Sequence, residues 1–396
     1  MTQTHLIEPA RQAEQKKNYP ALQNKKYMNF GALGALAGSS LAAIIRSFEL
    51  VQEEGPFCGK TFAWITEETN IVKQALSEVL GGKPGSYALT QNATEGCNIA
   101  LWGLDWQEGD RLLTSDSEHN GVMNAVQQLC KRRKLDLQIC KFASLQNDEE
   151  ILKEFEQKLA CKPRLFMISH VLWNTGRVLP IKQMIDLCHS KGVAVLVDGA
   201  QSVGVLPVNL EQLNADFYAF TGHKWLCGPE GVGALYVAPQ SLELIEPTFS
   251  GWRGAVFDNK GNPIGLLPDA GRFEVATSPF PLLAGLNDAI RIHQEFASVE
   301  VRYELILQNA KVLRDGILLI PGVSLLNPAG GSSLVSFTVE GVSHGEIVRR
   351  LESDYRVIVR TIPNPSCVRA SLHYFSASEA AQFPDVLSVV LKDIAS

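Results

Sequence analysis

Between about residues 60 and 260, short apolar runs alternate with longer amphipathic stretches, and few folds accommodate that alternation. Runs at 86–90, 111–114, 164–169, 193–197, 217–220 and 233–237 are separated by helical patterns such as Thr94 to Leu104 and Asn120 to Lys134. This is the mark of βαβ units, hence of an α/β fold with a mostly parallel central sheet and helices on both faces. A sheet covered on both faces needs a large core, and 396 residues that are 45% hydrophobic suffice for two domains. Beyond Pro279, a helical stretch over about 282–316 precedes apolar runs at 333–339 and 367–372, which predicts a smaller α/β domain. The expected division is an N-terminal arm over 1–28 packed with the small domain, a large domain over 29–278 and a small C-terminal domain over 279–396. Gly251 to Ala270 reads as a loop. The small-residue run Gly31 to Gly38 either lets backbones pack closely or sits beside a ligand.

Charge and cysteine usage exclude several classes of function. A net charge of -6, with Lys131 to Lys134 as the one basic run, offers no broad positive face to a nucleic acid. The eight cysteines show no C-x-x-C pair, so reduced thiols and no structural metal are expected. The polar N-terminus has no apolar signal region, and no run approaches the roughly 18 apolar residues of a membrane span. A cytoplasmic location is the expectation.

In open α/β sheets the ligand lies beyond the carboxyl ends of the strands, so the residues after each apolar run carry the functional information. After the first comes Gln91-Asn92-Ala93-Thr94-Glu95-Gly96, where a chain turning into a helix offers free N–H groups to a phosphate. Thr94 there is either a further donor or simply an N-cap. After the second comes Ser117-Glu118-His119, which puts an imidazole at a strand end. Asp198 follows the fourth run, where an acid serves as helix cap, metal ligand or partner for a heterocyclic nitrogen; no His or Cys lies at ligand spacing. Thr221-Gly222-His223-Lys224 follows the fifth. An amine that can hold an aldehyde, an acid that can keep a pyridine nitrogen protonated, an imidazole and phosphate donors form the set that pyridoxal phosphate requires. Gly228 to Gly233 leads into a strand rather than a helix, and no GxxxxGK[ST] motif occurs, so a nucleotide site is not expected.

With these residues in view, the chain resembles the class V aminotransferase branch of fold-type I pyridoxal phosphate enzymes, which includes cysteine desulfurases and cystine C–S lyases. The matching segments are Ala93-Thr94-Glu95, Glu118-His119, Asp198 to Gln201, Thr221 to Lys224, Arg272 to Thr277 and Val368-Arg369, and the resemblance runs from about Tyr27 to Ala377. It implies that Lys224 is the Schiff-base lysine, that Asp198 meets the pyridine nitrogen and that His119 stacks on the ring. It further implies Gln201 at the phenolic oxygen, and Ala93, Thr94, Thr221 and His223 at the phosphate. Thr277 would reach the phosphate of a neighbouring subunit, hence a homodimer. Arg369 would clamp the substrate α-carboxylate and Arg360 a distal one.

Two departures shape the implied activity. Trp173 stands where the family usually has an asparagine, which puts a substrate-binding role of Asn174 in question. Desulfurases with this Arg-Thr signature carry a nucleophilic cysteine on a loop between the two arginines, whereas here Arg360 to Arg369 is short and Cys367 reads as the start of a strand. The resemblance therefore implies β-elimination from cystine or cysteine, giving pyruvate, ammonia and cysteine persulfide or sulfide, with an iron–sulfur protein as sulfur acceptor. The alternatives are cysteine desulfuration to alanine and an enzyme persulfide, or another class V activity.

Overall fold

The computed structural model describes residues 9–145 and 147–395; the first eight residues of the expected N-terminal arm lie outside them. Seven strands form the central sheet: β1 (Tyr87–Thr90), β2 (Arg111–Ser115), β3 (Asp136–Cys140), β4 (Leu165–Ser169), β5 (Ala194–Asp198), β6 (Phe217–Thr221) and β7 (Gly233–Val237). Their order is β1-β7-β6-β5-β4-β2-β3, parallel except that β7 runs against both of its neighbours. Alternate residues of each strand enter different cores. Phe166, Ile168, Val195, Val197, Tyr218 and Phe220 face one cluster, while Leu165, Met167, Leu196, Phe217 and Ala219 face another. A period of two with apolar residues on both sides is what a sheet covered on both faces demands.

A four-stranded antiparallel sheet follows, formed by β8 (Val323–Leu325), β9 (Leu334–Val339), β10 (Arg360–Pro363) and β11 (Ser366–Ser371) in the order β8-β9-β11-β10. It has its own core, which includes Phe337, Val368, Ala370, Leu387 and Met28. The N-terminal segment reaches this part of the molecule through a parallel pairing of Lys26–Tyr27 with Val357–Ile358.

Three sequence expectations differ from the structure. The helical stretch over 282–316 is two helices, Pro281–Phe296 and Val299–Ile317, because Ser298 caps the second by accepting from the Val301 N–H. The first of these buries Leu283, Leu286 and Ile290 in the large core, and the second spans both cores. The segment read as a loop contains an antiparallel hairpin, Ala255–Phe257 with Pro263–Leu266, whose turn is tied by the Asp258 carboxylate to the N–H groups of Lys260 and Asn262. Strand β3 was not anticipated: at the sheet edge its Asp136 and Gln138 dilute the apolar signal. Among the described residues, no helix is long and apolar enough to cross a membrane.

Candidate active site

The carboxyl ends of β4, β5 and β6 open onto a cavity of about 450 Å³, within the range of small-molecule sites. Ser169, Asp198 and Thr221, the last residues of these strands, line it together with Ala93, Thr94, His119, Gln201, His223, Lys224, Arg360, Arg369, Val171 and Trp173. Most of the residues singled out in the sequence thus converge, because parallel strands end at one edge of the sheet.

Helix α1 (Ala93–Gly103) starts at the cavity. Its N-cap is Asn92, which accepts from the Glu95 N–H at 3.0 Å, so the capping reading of Thr94 gives way. Ala93 and Thr94 stand in the first turn, where N–H groups have no partner within the helix. Opposite, the Thr221 hydroxyl and His223 Nδ1 are 2.6 Å apart.

His119 caps helix α2 (Asn120–Arg133). Its Nδ1 accepts from the Gly121 N–H at 3.1 Å, and its ring meets Trp173 edge-on at 5.1 Å. Burial, aided by the Lys224 charge, holds its pKa below the ordinary value, so the ring is neutral at pH 7. Asp198 accepts from the Ala200 N–H at 2.9 Å, and burial raises its pKa against the pull of that bond and of Lys224. Gln201 donates to the Gly31 carbonyl at 2.8 Å and accepts from Trp225 Nε1 at 3.0 Å, which leaves one amide hydrogen uncommitted. Burial pushes Lys224 down to about 8 despite Asp198, with the charges of Arg369 and Arg360 acting in the same direction as burial.

Arg369 and Arg360 are directly paired across β11 and β10. Like charges at such a position cost stability, and among the described residues neither forms an ion pair. Arg369 is fully buried. Its Nη1 donates to the Trp173 carbonyl at 2.5 Å, while Nε and Nη2 have no partner. Burial first, then Arg360, holds it down to about 9. A Cβ on Gly31 would stand 3.1 Å from Arg369 Nη2, and one on Gly34 would fall 2.0 Å from the Lys224 carbonyl. The small-residue run therefore serves both close packing and the cavity.

Two candidates lie elsewhere. Asn174 does not line the cavity: its side chain donates to the Asn364 carbonyl at 3.1 Å, and its own carbonyl accepts from Ser336. Trp173 takes the place at the wall: both residues sit in a turn closed by the Gly176 N–H donating to the Leu172 carbonyl, and the turn carries Trp173 to the cavity and Asn174 toward Asn364. Thr277 is exposed in a separate surface groove with Thr90, Gln91 and Arg253. Cys367 is buried beside Trp173 and Ile362, and burial pushes its thiol to about 11. None of the described cysteines lines the cavity.

Residues not anticipated as lining are Ser169, Val171, Asn92 and Ala200. The first two follow the rule of inspecting strand ends, and Asn92 is legible in the Asn-x-x-Glu capping pattern.

An amine at about 8, a buried acid, a neutral imidazole, donors at a helix start and unpartnered guanidinium N–H groups fit pyridoxal phosphate together with a carboxylate-bearing substrate. Fold and site define an α/β enzyme of the fold-type I pyridoxal phosphate class. The sequence pattern of the aminotransferase class-V family matches residues 59–383, and the chain belongs to that family.

Its relatives include the cystine C–S lyase C-DES, whose structure has been solved in complex with its reaction product cysteine persulfide. The two chains are 40% identical and superimpose with a TM-score of 0.91 over 93% of this chain and 99% of the lyase. A second structure of that lyase, a lysine-to-alanine variant, has glycine covalently linked to its PLP cofactor. Isopenicillin N epimerase of Streptomyces clavuligerus is 29% identical, over 78% of this chain and 80% of the epimerase. Cysteine desulfurase IscS of Enterobacter sp. (strain 638) is 32% identical over 65% of this chain, a match spanning 59% of the desulfurase.

Proposed function

We propose that this chain is a pyridoxal phosphate-dependent carbon–sulfur lyase that expels a β-sulfur group from an amino acid bearing a carboxylate at each end, with cystine the best fit. The observation that carries this reading is the Arg369–Arg360 pair: a buried guanidinium with two nitrogens, Nε and Nη2, free to donate beside a second arginine, in a cavity that none of the described thiols lines. The likeness to C-DES supports it.

Bound pyridoxal phosphate supplies a carbonyl for the substrate amine and a ring that withdraws electrons from the α-carbon. The residues of the chain do the rest. Ala93, Thr94, Thr221 and His223 would hold the phosphate, Asp198 would keep a proton on the ring nitrogen, His119 would face the ring and the uncommitted Gln201 N–H would serve the phenolic oxygen. Arg369 binds the α-carboxylate bidentately and Arg360 the distal one. Lys224 Nζ takes the α-proton, a role for which a pKa near 8 is suited. With cystine and water the products are pyruvate, ammonia and cysteine persulfide, a better leaving group than hydrosulfide. Asn174 acts through the Asn364 segment rather than by touching substrate.

The same reading has Thr277 completing the phosphate site of a second copy in a homodimer. It divides the chain into an arm (1–28), a cofactor domain (29–278) and a small domain (279–396), and gives the persulfide sulfur to iron–sulfur cluster assembly in the cytoplasm. The test is a product assay on cofactor-loaded protein given cystine or cysteine, with pyruvate and alanine quantified. Pyruvate, formed faster from cystine, is expected. Alanine as main product would assign desulfuration and return Cys367 to consideration.

A further inference from the structure

Glu118 precedes His119 in the turn between β2 and α2, and its carboxyl group is buried. It accepts three hydrogen bonds: from Ser115 Oγ at 2.5 Å, from the Ser169 N–H at 2.8 Å and from Ser169 Oγ at 2.6 Å. Ser169 stands in register with Asp198 across β4 and β5 and lines the cavity. The Glu118 carbonyl accepts from Trp173 Nε1 at 3.3 Å, and Trp173 in turn meets the His119 ring. One residue thus joins the ends of β2 and β4 to the start of α2. Among the described residues no cation is paired with this carboxyl group, and burial pushes its pKa up to about 7 against the pull of Ser115 and Ser169; a buried acid held only by neutral donors is costly, so packing alone does not account for it.

We propose that Glu118 is a positioning residue whose carboxyl group, through Ser115 and Ser169, fixes His119 and Trp173 relative to Asp198 on the cofactor face of the cavity. The inference rests on the pyridoxal phosphate reading of the site. Glutamine preserves the shape and an acceptor oxygen, and its amide N–H can donate to Ser115 Oγ; alanine preserves neither.

The experiment compares wild type, Glu118→Gln and Glu118→Ala by pyridoxal phosphate dissociation constant, visible circular dichroism of the bound cofactor and melting temperature. Glu118→Ala is expected to weaken cofactor binding about tenfold and to change the visible signal, with Glu118→Gln within about threefold of wild type. A lower melting temperature with unchanged affinity and dichroism would overturn the proposal, as would Glu118→Gln behaving like Glu118→Ala. If Glu118→Ala does not fold, Ser115→Ala removes one of the three bonds and is expected to shift the dichroism the same way by less; no shift overturns the proposal. A wild type with no visible cofactor band removes the cofactor reading itself, and this inference with it.

Discussion

Lys224 belongs to the cavity, while the three residues after it, Trp225, Leu226 and Cys227, run into a buried cluster of His293, His373 and Tyr374. Titratable groups are strongly perturbed on both sides: burial pushes His373 down to about 3, much as it pushes Lys224 down to about 8. Hydrogen-bond accounting separates the two histidines of this cluster from Arg369 of the cavity, although Arg302 near the cluster also keeps Nε and Nη1 without a partner. His293 bridges the Tyr374 hydroxyl and the Leu226 carbonyl, each at 3.0 Å, and His373 Nε2 donates to the Trp225 carbonyl at 3.0 Å, leaving Nδ1 as the ring nitrogen without a partner. Cys227, His293 and His373 are close enough together to suggest a metal site, but both Nε2 hydrogens are spent on carbonyls. In the cavity, Arg369 keeps two donor nitrogens, Nε and Nη2, free next to a second cation. A shifted pKa marks burial; unspent hydrogen-bonding capacity beside a cavity marks a place for a ligand.

That contrast breaks most sharply at Lys224. Lys224→Ala is expected to lower pyruvate formation from cystine by about 10³-fold or more while added cofactor still binds, as measured by turnover and cofactor absorbance. Retained turnover would remove the lysine from its role. Arg369→Met is expected to raise KM for cystine about 100-fold, for two lost charge-assisted hydrogen bonds. The same change should leave the melting temperature of the cofactor-free protein unchanged or higher, since an unpaired buried charge is gone.

His293→Leu should do the reverse, costing about 2–5 kcal/mol of stability for two stranded buried partners, with KM unchanged, as measured by denaturant unfolding and kinetics. Equal effects of Arg369→Met and His293→Leu on KM would erase the distinction. Arg360→Ala should reduce kcat/KM about tenfold for cystine and little for cysteine. The rate at which pyridoxal phosphate adds to cofactor-free protein should rise about tenfold from pH 7 to pH 9 and then level. Only the neutral amine reacts, and Lys224 is protonated below about 8 and free above it.

Six of the seven central strands were legible in the sequence because their apolar runs are continuous, and β3 was not because an edge strand needs only partial burial. The residues at the carboxyl ends of those strands were legible as a chemical set, since a parallel sheet delivers every strand end to one side. Asn174 and Trp173 were harder to place: they sit in a turn, where no strand or helix period tells which side chain lines a wall. Glu118 was visible only as the residue before a histidine, because its partners come from Ser115 and Ser169, the latter 51 residues away.

What the sequence determined by itself is therefore local in origin: strand and helix periods, turn chemistry, and the types of side chain that follow each strand. The tertiary structure decided which polar groups are spent and which are free. His293 and Arg369 are both buried ionisable side chains, and nothing adjacent in sequence separates them. The difference is that Tyr374 and the Leu226 carbonyl meet the histidine, while the antiparallel pairing of β10 with β11 sets Arg360 opposite Arg369 and puts no acid there. Such pairings join residues far apart in the chain, and the free energy of a buried polar group depends on its neighbours in space.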